Sequence, residues 1–222
     1  MVLEDKLKSD VQEQFLQYFR DGDIAKATGL RDKTGLEPVI DDKAREAIQQ
    51  GYIKRFRSNY PADKATEIAD FTDVRPIIND EMKEAIQQGY VWCFVEHFGD
   101  SMKLQRLTEV EPTKEAMQQA YIECFRTGYH FYIDYVIKLK EFLIKRFNGV
   151  GPIIDDAAIK AIQQGQLECI KDARIKDAVL LKELTGVEPD KDAIIALCPP
   201  DYDRYLDIVR CRKECKVELK WK

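Results

Sequence analysis

Glu84-Ala85-Ile86-Gln87-Gln88-Gly89-Tyr90 has near copies at Ala47-Ile48-Gln49-Gln50-Gly51-Tyr52, Ala116-Met117-Gln118-Gln119-Ala120-Tyr121 and Ala161-Ile162-Gln163-Gln164-Gly165-Gln166. A fainter version, Val11-Gln12-Glu13-Gln14-Phe15, precedes them all. A text that returns every few tens of residues marks a repeat architecture, in which each unit covers the apolar side of its neighbour.

A second landmark sets the repeat length. Thr34-Gly35-Leu36-Glu37-Pro38, Thr72-Asp73-Val74-Arg75-Pro76, Thr108-Glu109-Val110-Glu111-Pro112, Asn148-Gly149-Val150-Gly151-Pro152 and Thr185-Gly186-Val187-Glu188-Pro189 are five versions of one mark, with prolines 38, 36, 40 and 37 residues apart. Gly or Asp just past a helical run suits the left-handed position that ends a helix, and the Pro beyond it prevents continuation. Each mark therefore closes a second helix and opens the next unit.

Two helices fit between marks. The first begins at a capping residue, Asp41, Asn79, Thr113 or Asp155, whose side-chain oxygen can accept the free amides of a first turn. In the unit after Pro112 the segment before the glutamines is five residues shorter, so that helix is expected to start more than a turn late. The second helices are predicted over 23–33, 62–71, 101–107, 129–147 and 175–184.

At 100° per residue, Ala44, Ala47, Ile48, Gly51, Tyr52, Arg55 and Phe56 share one arc of the first helix. The Arg55 position holds Cys93, Cys124 and Cys169 in other units, which suits a small buried side chain. Ala47 and Gly51, like Ala85 and Gly89, form a seam of small residues that lets a neighbouring helix approach. Leu16, Ile53, Val91, Ile122 and Leu167 lie off that arc, so the helix has neighbours on two sides. The pattern predicts an all-α solenoid of about five helix-turn-helix repeats of 36–40 residues over 1–197, with a C-terminal capping helix and a basic tail over 198–222.

The text Pro112-Thr113-Lys114-Glu115-Ala116-Met117-Gln118-Gln119-Ala120-Tyr121 and the start Gly186-Val187-Glu188-Pro189-Asp190 resemble a pentatricopeptide repeat, and tetratricopeptide repeats share the same helical-hairpin plan. The resemblance covers roughly residues 10–197. It implies a single-stranded RNA-reading surface on the first helices, at Gln50, Gln88, Gln119 and Gln164, with Glu13 in the first unit. The residues themselves read differently. A Gln in four successive units carries no base code, and Glu37, Glu111 and Glu188 at the repeat ends would repel phosphate.

Charge points the same way. The net charge is −5, and residues 204–222 hold seven Lys and Arg against three Asp and Glu, so that tail is +4 and the remainder −9. An acidic body is a poor match to a nucleic-acid backbone. With 34% charged residues the chain reads as a soluble helical protein, without an apolar run long enough to cross a bilayer. The start Met1-Val2-Leu3-Glu4-Asp5 has neither the basic residues nor the apolar core of a secretory signal, so the expected location is cytoplasmic.

The sequence predicts no catalytic residue, no cofactor and no metal. There is no Gly-rich phosphate loop, and neither His97 nor His130 sits in an acid–base setting. Cys211 and Cys215 are four apart on a predicted helix and Cys198 could approach them, but a zinc site lacks its fourth ligand there.

The expected role is a scaffold that binds a protein or peptide partner along Gln50, Gln88, Trp92, Gln119 and Gln164. Trp92 falls on the polar face, where it either anchors a partner or packs on the adjacent unit. The predicted helix 129–147 is apolar over about two-thirds of its circumference, through residues such as Phe131, Tyr132, Tyr135 and Phe142. Either the following unit or the capping helix covers that excess, or a partner or homodimer contact does, and the length of the helix favours the latter.

Overall fold

The computed structural model describes residues 2–96, 98–126, 133–149, 151–172 and 174–197. Among the described residues there are eleven helices and no strand, so the protein is all-α. The helices are α1 (Val2–Asp21), α2 (Ile24–Thr34), α3 (Asp42–Phe56), α4 (Pro61–Thr72), α5 (Asp80–Glu96), α6 (Asp100–Thr108), α7 (Lys114–Arg126), α8 (Ile133–Arg146), α9 (Asp156–Lys171), α10 (Ile175–Thr185) and α11 (Lys191–Leu197). No helix among the described residues is long and apolar enough to cross a membrane.

The caps read from sequence are formed. Asp41, Asn79, Thr113 and Asp155 accept the amides of Ala44, Met82, Ala116 and Ala158 at 2.8–3.1 Å. One start differs from expectation. α7 begins at Lys114, directly after Thr113, which places its cap five residues before Gln118, whereas Asp41 is eight before Gln49. The helix is thus three residues shorter at that end, just under a turn rather than more than one. The other two missing residues come from the linker, because Thr113 serves as both post-proline residue and cap.

Each closing mark is a small lock. Thr72 Oγ1 donates to the Ile68 carbonyl at 2.7 Å and accepts from the Val74 amide at 3.3 Å. Between them Asp73 takes φ 54, and its own amide reaches Ala69 O. Thr34, Thr108 and Thr185 repeat the hydroxyl's two bonds, with Gly35, Glu109 and Gly186 in the left-handed position. These bonds satisfy carbonyls that a helix end leaves without partners. The mark at Asn148 departs from this pattern, with positive φ at both Asn148 and Gly149.

The chain divides into two compact units, Met1–Met117 and Gln118–Lys222. In the first, α1 packs on α3 and α3 on α5, while α2 meets α4 and α4 meets α6. First and second helices therefore form two layers. The seam is as close as the small residues suggest: Gly51 lies against the carbonyl of Phe19, and Gly89 against that of Phe56. Ala44, Ala47, Ile48, Tyr52 and Phe56 are all buried along the predicted arc. In the second unit α9 packs on α10 and α11, and α8 on α10. α11 opens like a first helix, with Asp190 capping the Ala193 amide at 3.0 Å.

Candidate functional site

The glutamine pair divides into two roles. The first member reaches across to the following linker and holds it from both sides of its proline. Gln49 Nε2 donates to Arg75 O at 3.0 Å, while its Oε1 accepts from the Ile77 amide at 2.7 Å. Gln12 does the same to Glu37 O and Val39 N, and Gln87 to Glu111 O and Thr113 N. In the second unit Gln118 binds both the carbonyl and the amide of Ile153, and Gln163 Nε2 reaches Glu188 O. A carboxamide carries a donor and an acceptor side by side on one planar group, which suits Gln to this place. A buried tyrosine adds a third tie: Tyr52 Oη donates to Val74 O at 2.6 Å, and Tyr90 to Val110 O. At the same register Gln166 Nε2 donates to Val187 O at 3.0 Å.

Gln12, Gln49, Gln87, Gln118 and Gln163 are glutamine in all five units, whereas the second position becomes Glu13 in the first. The uniform position is the architectural one. That signal was visible in the text.

The second members, Gln50, Gln88, Gln119 and Gln164, are all exposed. Gln119 and Gln164 donate along their own helices to Glu123 and Glu168 at 2.6 and 2.7 Å. Two of the four border clefts between successive first helices. Gln50 lines a cleft of about 430 Å³ with Glu13, Leu16 and Arg20 of α1 and Lys43, Glu46 and Ala47 of α3. Gln164 lines one of about 480 Å³ with Arg126 of α7 and Asp156, Lys160 and Ala161 of α9. Each cleft thus sets a polar amide and charges of both signs beside apolar side chains.

Ion pairs also cross between repeats on this face. Lys54 of α3 meets Asp21 of α1 at 2.7 Å, and the Lys54 hydrogen bond holds the Asp21 carboxyl below its usual range. Such half-exposed pairs contribute about 0–1 kcal/mol.

Trp92 is half-buried and its ring packs on Tyr60, with centroids 5.4 Å apart and a 45° tilt. Tyr60 belongs to the turn before α4 and takes φ 59. The indole therefore contacts the preceding hairpin.

On α8, Val136, Leu139 and Leu143 are buried, Phe142 is half-buried and Ile144 is 38% exposed. Phe131, Tyr132 and the side chain of Tyr135 lie outside the described residues, as do Cys198, Cys211, Cys215 and the predicted cap over 198–222. Cys93 and Cys169 are buried, and burial pushes their thiols up to about 12 and about 11. They pack as small apolar groups; Cys124 is half-buried. Among the described residues no group of His, Cys, Asp and Glu could hold a metal ion.

Comparison of the chain with protein-family models, with curated proteins and with solved structures finds no match in any of the three. The class established by the fold is that of an all-α protein.

Proposed function

We propose that the chain is a non-catalytic helical-repeat scaffold, a solenoid of about five hairpins capped by residues 198–222, that binds a protein or peptide partner in the cytoplasm. The partner lies along the first-helix face carrying Gln50, Gln88, Trp92, Gln119 and Gln164. One observation carries this reading. The first glutamine of each pair is consumed in holding a linker, while the second is exposed, and Gln50 and Gln164 border clefts of 430 and 480 Å³. A carboxamide beside a cleft can pair with the peptide groups of an extended segment.

Affinity capture from native cells, with and without ribonuclease, tests the partner class. The expected result is a protein partner that survives ribonuclease and is lost when Gln50, Gln88 and Trp92 are changed to Ala together. Tight, steeply salt-dependent binding of single-stranded RNA would replace this reading with the pentatricopeptide-like one.

The partly exposed Ile144 and half-buried Phe142 also support a self-contact through residues 129–147, with Phe131, Tyr132 and Tyr135 contributing. Sedimentation of Phe142→Ser beside the parent chain checks it; identical monomers would remove the idea.

A further inference from the structure

Three of the exposed large apolar side chains occupy one register of the repeat: Val39, Ile77 and Ile153 are 60%, 65% and 52% exposed, and each directly follows a linker proline. Scattered exposed aliphatics are ordinary on a protein surface. Recurrence at one position is not, especially where the backbone is fixed. The amides of Val39 and Ile77 are held by Gln12 and Gln49, so each side chain is presented from a braced linker.

In the unit Met1–Met117 these linkers belong to consecutive hairpins, since α1 packs on α3 and α3 on α5. Neighbouring packed helices lie about 8–10 Å apart. Seven residues of a helix advance about 10.5 Å, so aliphatics seven residues apart on a helix come close to that step. The surroundings are net acidic: Glu37, Asp41, Asp42, Asp73 and Asp80 are exposed on or beside these two linkers, against Lys33, Lys43 and Arg75. We infer that this linker edge is a second docking surface, separate from the first-helix clefts, for a basic amphipathic helix whose aliphatic stripe seats on Val39 and Ile77 while its Lys and Arg face the carboxylates.

The test uses the full chain and a synthetic labelled helix of about 14 residues, with Leu recurring at the seven-residue interval and Lys on the opposite face. A matching peptide with Glu in place of Lys is the charge control. The protein variant is Val39→Thr with Ile77→Thr. Thr113 already fills this register in the third linker and keeps its amide on Gln87, so the backbone bonds are preserved. By fluorescence anisotropy the Lys peptide should bind the parent chain, weaken about tenfold or more against the variant, and lose affinity as salt rises. The Glu peptide should not bind. No binding by the parent, equal binding by the variant, or equal binding of the Glu peptide would each overturn the inference. So would a melting temperature that falls by many degrees in the variant, because it would place both side chains in the core.

Discussion

Any side chain at Gly51 would place its Cβ 2.1 Å from the carbonyl oxygen of Phe19. The obstacle is helix backbone, with Gly22 also within 3.3 Å, so nothing can swing aside. Gly89 holds the matching place in α5, where the nearest atom, Phe56 O, is 3.0 Å from a built Cβ. Gly51→Ala should therefore cost about 3 kcal/mol or more through forced separation of α1 and α3. Gly89→Ala should stay within about 1 kcal/mol of the parent, because the helix propensity gained offsets a shift of tenths of an ångström. Urea unfolding followed by circular dichroism decides; two variants of equal stability would refute the close seam.

The glutamine pair gives a second contrast, between adjacent residues. Gln49→Ala removes both bonds to the Pro76 linker and leaves the Arg75 carbonyl and the Ile77 amide to find other partners. A loss of about 1–3 kcal/mol is expected. Gln50→Ala touches an exposed side chain beside a cleft and should fall within about 0.5 kcal/mol. Equal losses, or a greater loss at Gln50, would show that the roles were assigned the wrong way round.

Much of the local architecture was legible because it depends on short-range chemistry. The caps at Asp41, Asn79, Thr113 and Asp155, the left-handed Gly35 and Asp73, and the buried arc of Ala44 through Phe56 all follow from side chains acting within a turn of their own position. The tie from Gln49 to Ile77 spans 28 residues, and no periodicity in one helix reveals which of two adjacent amides will make it. The candidate face was legible as a face, but its clefts were not. They depend on how Arg20 and Lys43, from two different helices, come to line one cavity. Trp92 was undecidable from text for the same reason, since its neighbour Tyr60 is set by a turn with positive φ.

Alkaline pH should unfold the protein cooperatively. Burial raises the thiols of Cys93 and Cys169 from 9.0 to about 12 and about 11, and it also raises the phenols of Tyr52 and Tyr121 above their usual 10.0. For a group whose folded value is raised, the stabilisation is complete below the unfolded value and is lost as pH climbs through the folded one. Stability should accordingly hold to about pH 9 and decline from there toward 12. At pH 8 the same burial should keep Cys93 and Cys169 from alkylation until denaturant is added, as read by peptide mass mapping. Rapid labelling of Cys93 in the folded chain would contradict its packing.

Two tyrosines at the same register make the last comparison. Tyr52 and Tyr121 are both fully buried on their first helices, and Tyr52 donates to Val74 O at 2.6 Å. Tyr121 Oη has no partner among the described residues, and the residue at the place of Val74 in its repeat, Val150, lies outside them. Tyr52→Phe deletes a donor and strands a buried carbonyl, so it should cost about 1–3 kcal/mol. Tyr121→Phe deletes a hydroxyl whose desolvation is offset by no partner among the described residues, and it should be neutral or stabilising by about 1 kcal/mol. Melting temperatures of the two variants and of the double variant separate the terms. The double variant should equal the sum, because each hydroxyl acts on its own hairpin. A Tyr121→Phe chain that melts well below the parent would mean the hydroxyl has an acceptor after all, and with it that this repeat closes as the Tyr52 repeat does.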